Sequence, residues 1–292
     1  MQTKHIEQIV PSGQKHWVGD GFQVYTFFPS GEPFGDRRMS PFFLLDYGAK
    51  RQVAPSSKLR GVGVHPHRGF ETVTLMYHGK GAHHDSAGNS GIIEEGDVQW
   101  MTAASGVLHK EYFEKEFNSR GGDFQMVQLW VNLPAKDKMV APNYQAIVRD
   151  TMGKYTIPDD GGEIDIVAGE LHGVKGAATT FTPIEMYNIR LNKGGKVKLT
   201  LPSDYNTGLM IVQGKVTVND SEKAGENEFV LFQNDGENFT IHADEVSTVL
   251  LLSGQPIDEP IAAYGPFVMN TRNEIIAAYD DFDAGKFGYL ED

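Results

Sequence analysis

Short runs in which apolar residues alternate with polar ones recur along the whole chain. Examples are FQVYTFF, ETVTLMYH, FQMVQLWVNL and TGLMIVQGKVTV. Successive side chains of a β-strand point to opposite faces, so this alternation predicts strands with one buried face. Turn residues separate the runs at the spacing that is typical of an all-β sandwich or barrel. The pattern therefore predicts an all-β fold.

Two segments depart from this alternation. Residues 134–148 (PAKDKMVAPNYQAIV) are polar and bounded by prolines, which predicts a linker with a short helical turn. The segment TRNEIIAAYDDFDAGKFG near the C-terminus has a Thr or Asn start signal, apolar residues at helical spacing and Gly285 near its end. It predicts one helix that packs on a barrel.

The two halves of the chain resemble each other. The segments around Gly79 and Gly214 both run through an apolar strand, a turn ending in Gly-Lys, a second strand, a polar loop and a turn with Gly and acidic residues. This internal repeat predicts two domains, which we place at residues 1–135 and 136–292.

Composition narrows the possible functions. The chain has 292 residues and a formal net charge of −13, and no Lys/Arg cluster offers the basic face that nucleic acids require. There is no cysteine, which excludes disulfides, thiolate nucleophiles and Cys-ligated zinc or iron–sulfur sites. We find no signal-peptide pattern and no run of about 18 apolar residues, so we expect a cytoplasmic protein without a membrane segment.

Two pairs of residues, one His-x-His and one His-x-Glu, carry the candidate chemistry. The stretch GVGVHPHRGF places His65 and His67 two residues apart, and SGVLHKEYFE places His109 and Glu111 likewise. Alternate residues of a strand share a face, so each pair can reach one point, although polar side chains on a wet face would show the same spacing. Three imidazoles and one carboxylate suit a redox-active Fe(II) centre with open positions, and zinc, nickel, copper or manganese would also fit.

The second copy of the repeat lacks these histidines. Alignment on the two Gly-Lys turns places Thr200 and Pro202 opposite His65 and His67. The repeat keeps the scaffold and loses the imidazoles, which indicates that the histidines are more than strand filler. We therefore expect the second barrel to bind no metal.

Other polar residues nearby are harder to assign. An unbroken strand from His65 would place Glu71 on the metal face, but Gly69 indicates a bulge that turns it away. We expect Glu71 to support the ligands rather than to be a fifth one. His83 and His84 occur in the polar stretch GKGAHHDSAGNSG and are expected to be loop or edge residues without a role.

Four motifs together resemble the pirin family of the cupin superfamily: HPHRGFETVT, GDVQWMTAASGVLHKE, VQLWVNLP and YGPFVMNT. They lie in both halves of the chain. The resemblance implies a bicupin, in which two antiparallel jelly-roll β-barrels lie face to face, with a short linker helix and a C-terminal helix. It implies one metal, usually iron, in the N-terminal barrel at residues 1–135 and none in the C-terminal barrel at residues 136–292.

The resemblance also implies the ligand set, which is His65, His67, His109 and Glu111. The general cupin pattern is met less well. Its first motif would make Glu71 a ligand, and its second would place a proline at Thr102. Asp46, in SPFFLLDYG, matches a family position near the pocket.

Two activities are associated with this family. Bacterial members resemble quercetin 2,3-dioxygenases, which open the central ring of a flavonol with dioxygen and release carbon monoxide. In that case Glu111 would accept the proton of the substrate hydroxyl. Asp46, Glu71 and Trp100 would contact the substrate, and Met101 and Trp130 are further candidates for the pocket wall, although such residues are also typical of a core.

The alternative is a redox-sensitive regulator whose iron changes charge and thereby alters binding of a protein partner. A third possibility is a metal-binding scaffold without turnover. The family resemblance implies a monomer in either case.

Overall fold

A computed structural model describes residues 2–29 and 32–291 and shows two compact units. The N-terminal unit comprises Gln14–Asp36, Phe42–Val148 and Ile257–Asp292, and the C-terminal unit comprises Met1–Gly13, Arg37–Pro41 and Arg149–Pro256. The division after residue 135 stays a prediction. The compact units do not follow the order of the sequence. The start of the chain belongs to the C-terminal unit, and its end belongs to the N-terminal unit.

Strands dominate both units. In the first half of the chain they are β1 (Ile6–Pro11), β2 (Lys15–Val18), β3 (Phe22–Phe28), β4 (Phe42–Val53), β5 (Gly61–His67), β6 (Phe70–His78), β7 (Gly81–Asp85), β8 (Ser90–Ile93), β9 (Val98–Thr102), β10 (Val107–Phe113), β11 (Gly122–Asn132) and β12 (Asn143–Ile147). One helix, α1 (Lys115–Arg120), lies between β10 and β11. Short 3-10 turns cover Ala135–Asp137 and Arg149–Thr151.

The second half repeats this arrangement. Its strands are β13 (Gly153–Ile157), β14 (Gly162–Ala168), β15 (Glu170–Leu171), β16 (Val174–Lys175), β17 (Ile184–Leu191), β18 (Lys196–Thr200), β19 (Asn206–Gln213), β20 (Lys215–Val218), β21 (Glu222–Gly225), β22 (Glu228–Phe232), β23 (Asn238–Ala243), β24 (Ser247–Gly254), β25 (Ala262–Tyr264) and β26 (Phe267–Met269). Helix α2 (Arg272–Asp283) follows.

Each unit holds two large antiparallel sheets with the same strand order, besides one two-stranded sheet, β25-β26 in the N-terminal unit and β15-β16 in the C-terminal unit. The N-terminal unit has a four-stranded sheet β5-β10-β7-β8 and a seven-stranded sheet β12-β9-β6-β11-β4-β3-β2. The C-terminal unit has β18-β23-β20-β21 and β1-β22-β19-β24-β17-β14-β13. The predicted all-β bicupin fold of jelly-roll type is thus confirmed, with the qualification that the sheets do not close into complete barrels.

The first strand of each repeat pairs in the sheet of the other repeat. β1 pairs with β22 in the C-terminal unit, and β12 pairs with β9 in the N-terminal unit. The sequence predicted only a linker with a helical turn in residues 134–148. The turn is present at Ala135–Asp137, but the rest includes a strand. β12 lies at a sheet edge and buries only Ile147 fully, so its sequence carries little alternation.

The predicted C-terminal helix is confirmed as α2. Thr271 and Glu274 form a capping box at its start, since each side chain accepts a hydrogen bond from the backbone N–H of the other. The helix ends at Asp283 with Ala284 as its C-cap, and Gly285 follows with a φ of +73°. It packs on β25 and β26, and therefore belongs to the N-terminal unit. Neither described helix is long and apolar enough to cross a membrane.

A buried lysine ties three segments of the N-terminal unit together. Lys138 is 1% exposed, and its Nζ donates to Gly69 O at 2.6 Å, to Asn132 Oδ1 at 2.6 Å and to Val268 O at 2.8 Å. Gly69 has a φ of +88° and separates β5 from β6. The lysine thereby fixes the end of the strand that carries His65 and His67.

We expect Lys138→Met to lower the free energy of unfolding of the N-terminal unit by about 3 kcal/mol, because three buried oxygen acceptors lose their donor. All three tryptophans of the chain lie in this unit, so urea unfolding followed by tryptophan fluorescence reports on it. Lys136→Met, two residues away and exposed, is the control. Equal unfolding midpoints of the two variants would contradict a stabilising role of the three Lys138 hydrogen bonds.

Candidate metal centre

The three predicted histidine ligands converge because β5 and β10 are antiparallel neighbours. His109 lies directly opposite His65, and Val107 lies opposite His67. The candidate ligand atoms of the three imidazoles all lie within 4.8 Å of one another. The ring centroids are 4.2 to 4.8 Å apart. Such a cluster can hold one metal ion.

The hydrogen bonds of these rings leave one nitrogen of each free for a metal. His65 Nδ1 lies 2.8 Å from Gly63 O, and His67 Nδ1 lies 3.3 Å from Pro266 O. His109 Nε2 is buried and has no hydrogen-bond partner within the described chain. Because an unpaired buried nitrogen costs about 1–3 kcal/mol, a metal at this point would remove a penalty. The residues present therefore fit a metal ion.

Burial also prepares the protonation state of two ligands. It lowers the pKa of His67 and of His109 well below the usual histidine value, and the neighbouring His65 acts in the same direction. Both rings are therefore neutral near pH 7. Neutral imidazole is the form that binds a metal.

Glu111 shares a face with His109. β10 pairs in unbroken register with β7 from His109 to Phe113, so residues 109 and 111 project to the same side. Glu111 Oε1 accepts a hydrogen bond from Thr74 Oγ1 at 3.2 Å, and the same Oγ1 lies 2.6 Å from the Gln128 side-chain amide. The cluster of imidazoles does not include Glu111. Its role as a fourth ligand stays a prediction.

A small cavity lies beside Glu111. Its volume is about 20 Å³, which suits about one water molecule. Most of its lining is apolar, and the lining residues are Phe22, Thr74, Met76, Gly81, Ala82, Ile93, Glu111, Tyr112, Phe124, Met126 and Gln128. This cavity is therefore too small for a bulky organic molecule.

The predicted pocket residues fall on two different faces of the large sheet. Asp46 lies opposite Gln128, and cross-strand neighbours share a face, so Asp46 faces the same interior as Thr74 and Glu111. It accepts a hydrogen bond from Thr26, and burial raises its pKa.

Glu71 and Trp100 lie on the other face. Glu71 and Thr74 are three residues apart on β6, so their side chains point to opposite faces. Trp100 is adjacent to Gln99 on β9 and therefore points away from the face of Gln99, whose side chain contacts His83. Glu71 is 1% exposed and accepts from Thr102 Oγ1 at 2.7 Å, and burial raises its pKa to about 7. The structure therefore does not bring these two side chains to the histidines, and their substrate roles stay predictions.

Trp130 is the predicted wall residue that lies at the site. Its ring centroid is 5.2 Å from that of His67, with the rings edge to face. It stacks on Phe70 at 4.3 Å and on Phe43 at 6.3 Å. Met101, by contrast, packs with Ala103, Val107 and Tyr144 in a separate buried cluster.

Sequence reasoning missed His83. We expected a loop or edge residue without a role, but His83 lies on β7 and is fully buried. Its Nδ1 lies 3.4 Å from His109 Nδ1 and 3.1 Å from Gln99 Nε2, and its Nε2 lies 3.3 Å from Asp85 Oδ2. The signal that could have found it is the spacing of His83 and Asp85, which are two residues apart like the ligand pairs. His84 instead bonds to the Tyr112 hydroxyl at 2.8 Å.

Asp85 behind His83 is held as a carboxylate. Burial acts to raise its pKa, but hydrogen bonds from His83 and from Asn89 outweigh it, and the pKa lies below the usual value. Asp85 Oδ1 accepts from the backbone N–H groups of Ala87 and Asn89, both at 2.9 Å. A negative charge is therefore fixed behind His83, which separates Asp85 from the imidazole cluster.

The C-terminal unit has apolar side chains at the positions of the candidate ligands. His109 lies opposite His65 in the N-terminal unit, and Phe239 lies opposite Leu199 in the C-terminal unit. By this strand pairing Phe239 takes the position of His109, and Leu199 takes that of His65. The same register places Leu201 at the position of His67 and Ile241 at that of Glu111, and both belong to one buried apolar cluster.

The sequence alignment with Thr200 and Pro202 is wrong by one residue. The reason is that the connection before β19 is longer than that before β6, which shifts the alignment upstream of it. The corrected partners of the two histidines are leucines, which offer no metal ligand. That the C-terminal unit binds no metal stays a prediction.

Comparisons with known proteins agree with this architecture. The family model described as Pirin matches residues 22–131, and the one described as Pirin C-terminal cupin domain matches residues 186–288. A crystal structure of a quercetin 2,3-dioxygenase from Acinetobacter baumannii is similar, with a TM-score of 0.93 and 44% identity over 99% of this chain and 100% of that one.

Relatives from other organisms also cover most of the chain. A pirin-like protein from Caulobacter vibrioides is 37% identical over 98% of this chain and 100% of its own length. A pirin-like protein from Solanum lycopersicum is 38% identical over 87% of this chain and 84% of its own.

We expect one equivalent of divalent metal per chain and its loss in His109→Ala, because that variant removes one imidazole of the cluster. Elemental analysis after dialysis against Fe(II) or Co(II) measures it. His78→Ala is the control, since His78 pairs with Glu95 away from the cluster. A full equivalent retained by His109→Ala, or a second equivalent in the parent protein, would contradict the assignment.

Proposed function

The chain belongs to the pirin family, and from this premise we propose that it is a metal-dependent dioxygenase that opens the central ring of a flavonol and releases carbon monoxide. Fe(II) is the metal that we propose. The observation that carries the proposal is the cluster of His65, His67 and His109, with the Glu111 carboxylate on the same strand face as His109. The similar Acinetobacter structure, described as a quercetin 2,3-dioxygenase, supports the substrate class.

The donor set suits this chemistry. Three imidazoles and at most one carboxylate leave coordination positions open, as in iron centres that activate dioxygen. A bound divalent iron would supply a Lewis acid and an electron donor at this point. The neighbouring apolar rings of Phe70 and Trp130 limit access of water beside His67.

Glu111 is the group that we propose as general base. The 3-hydroxyl of a flavonol has to lose its proton before the ring becomes electron-rich enough to react with dioxygen. A carboxylate within reach of the metal can accept that proton. Thr74 keeps Glu111 Oε1 in place at 3.2 Å, which leaves the other carboxylate oxygen for the substrate.

The proton of Thr74 has to be assigned for this arrangement. Its hydroxyl has one hydrogen, and it lies near both Glu111 and Gln128. The Gln128 amide can be oriented with either end toward Thr74. If its N–H donates to Thr74, the hydroxyl donates to Glu111, and all three groups are satisfied.

The direction of substrate approach follows from burial. The cavity of about 20 Å³ beside Glu111 is far smaller than the roughly 300 Å³ or more of a pocket for a drug-sized ligand. His67 and His109 are buried, while His65 is partly exposed. We therefore propose that the flavonol reaches the metal and the free carboxylate oxygen of Glu111 from the side of His65, and that only small molecules enter the cavity.

Glu111→Gln keeps the size of the side chain and removes its basicity. We expect turnover per bound iron to fall by about 100-fold or more, and iron affinity to fall about 10-fold. The assay loads the protein with Fe(II) without oxygen, adds quercetin and then air, and follows flavonol absorbance and carbon monoxide. Glu95→Gln, on the surface, is the control. Equal turnover per iron in Glu111→Gln and the parent would assign the base elsewhere, with Asp46 next.

A second prediction concerns Thr74→Val, which removes the hydroxyl that contacts Glu111. We expect turnover per iron to fall roughly 10-fold, since groups that orient such residues contribute about that much. Thr72→Val is a matched control, because Thr72 lies two residues away on the same strand face and its buried hydroxyl has no partner among the described residues. An equal loss in both variants would mean that packing, and not the hydrogen bond, is responsible.

A further inference from the structure

We propose that His83 and Asp85 are positioning residues that hold the His109 ring in the tautomer that binds metal. This inference rests on the proposed metal site. Its evidence is a buried chain of contacts that runs from Asp85 through His83 to His109. All three side chains are buried, at 5%, 0% and 0% exposure.

The positions of the protons follow from counting donors and acceptors. His109 binds a metal through Nε2, the nitrogen without a protein partner, so its single proton has to be on Nδ1. That nitrogen faces His83 Nδ1 at 3.4 Å, which therefore has to be an acceptor. The proton of His83 is then on Nε2, where it faces Asp85 Oδ2 at 3.3 Å. One tautomer of each ring satisfies the whole chain.

Neighbouring groups fix the middle ring of this chain. Tyr144 of β12 stacks on His83, with a centroid distance of 5.1 Å and an interplanar angle of 15°. The Gln99 side-chain amide packs against the same ring, with its Nε2 3.1 Å from His83 Nδ1. Asp85 is anchored in turn by Ala87 and Asn89. The ring of His83 therefore has little freedom to rotate.

The fold itself does not require these polar residues. In the C-terminal unit the register of β20 places Val218 at the position of His83, and that of β22 places Val230 at the position of Gln99. Both valines belong to the buried apolar cluster. A buried imidazole and amide cost free energy that valine does not, so their presence in one unit points to the metal site.

The chain of contacts has two consequences for a bound metal. A partner on the second nitrogen orients a ligand imidazole and raises its basicity, and loss of such a partner costs about 10- to 100-fold in metal affinity. The fixed charge of Asp85 also balances part of the positive charge of the metal. His109 is the ligand that this arrangement acts on, because the second nitrogens of His65 and His67 face backbone carbonyls.

The test uses Co(II) as the probe and the whole 292-residue chain. The variants are His83→Leu, which breaks the contact chain, and Asp85→Asn, which keeps its shape and removes its charge. Affinity is measured by competition with a chelator. The spectroscopic measurement is the proton spectrum of the Co(II) protein in water, in which the ring N–H of a Co(II)-bound histidine is strongly shifted. His84→Leu is the control, since His84 is adjacent to His83 and bonds to Tyr112.

We expect Co(II) affinity to fall about 10- to 100-fold in His83→Leu and in the same direction, but less, in Asp85→Asn. The shifted N–H signal of His109 should be lost or moved in both variants and unchanged in His84→Leu. If His83→Leu does not fold, as judged by tryptophan fluorescence, Asp85→Asn still decides. Affinity and signals like those of the parent protein, in Asp85→Asn and in any folded His83→Leu, would overturn this inference and leave the proposed function standing. A parent protein that binds no Co(II) would overturn the proposed function as well.

Discussion

The antiparallel pairing of β5 with β10 is the constraint on which the candidate site depends. It places His109 opposite His65, and the alternation of strand side chains then adds His67 from one strand and Glu111 from the other. Register in a sheet is all or none, because a slip of one residue turns every side chain to the other face. The hydrogen bond from Lys138 to Gly69 O therefore supports the site, since it holds the end of the strand that carries two candidate ligands.

The large sheet of the N-terminal unit carries a row of polar side chains at a place where the large sheet of the C-terminal unit carries mostly aliphatic ones. The polar row consists of cross-strand neighbours, and its members are Thr26, Asp46, Gln128, Thr74 and Gln99. The row at the same place in the C-terminal unit is Ile166, Tyr187, Leu251, Leu209 and Val230. The second row belongs to one apolar core, so the fold needs no polar group there. Burying the first row costs stability, which indicates that it is kept for the site.

The sequence predicted the parts of this structure that depend on local periodicity. The ligand pairs have the spacing of alternate strand residues, and α2 has a capping box and a terminal glycine that are visible in the sequence. His83 was missed because the run GAHHD shows no apolar alternation and is flanked by glycines and polar residues. β12 was missed for a related reason, since it is an edge strand whose hydrogen bonds to β9 decide its conformation. Such pairings over long sequence separations leave no local pattern.

Those long-range pairings also determine how much of the chain the metal site needs. Tyr144, which stacks on His83, follows the predicted division of the sequence and reaches the site only because β12 joins the N-terminal sheet. Pro266, which contacts His67, and Val268, which accepts from Lys138, follow the whole second repeat. The histidines themselves lie between residues 65 and 109, but groups that orient them come from three separate stretches of chain. The second repeat, although its own interior is apolar, is thus required for connectivity, because it carries the chain back to complete the site of the first.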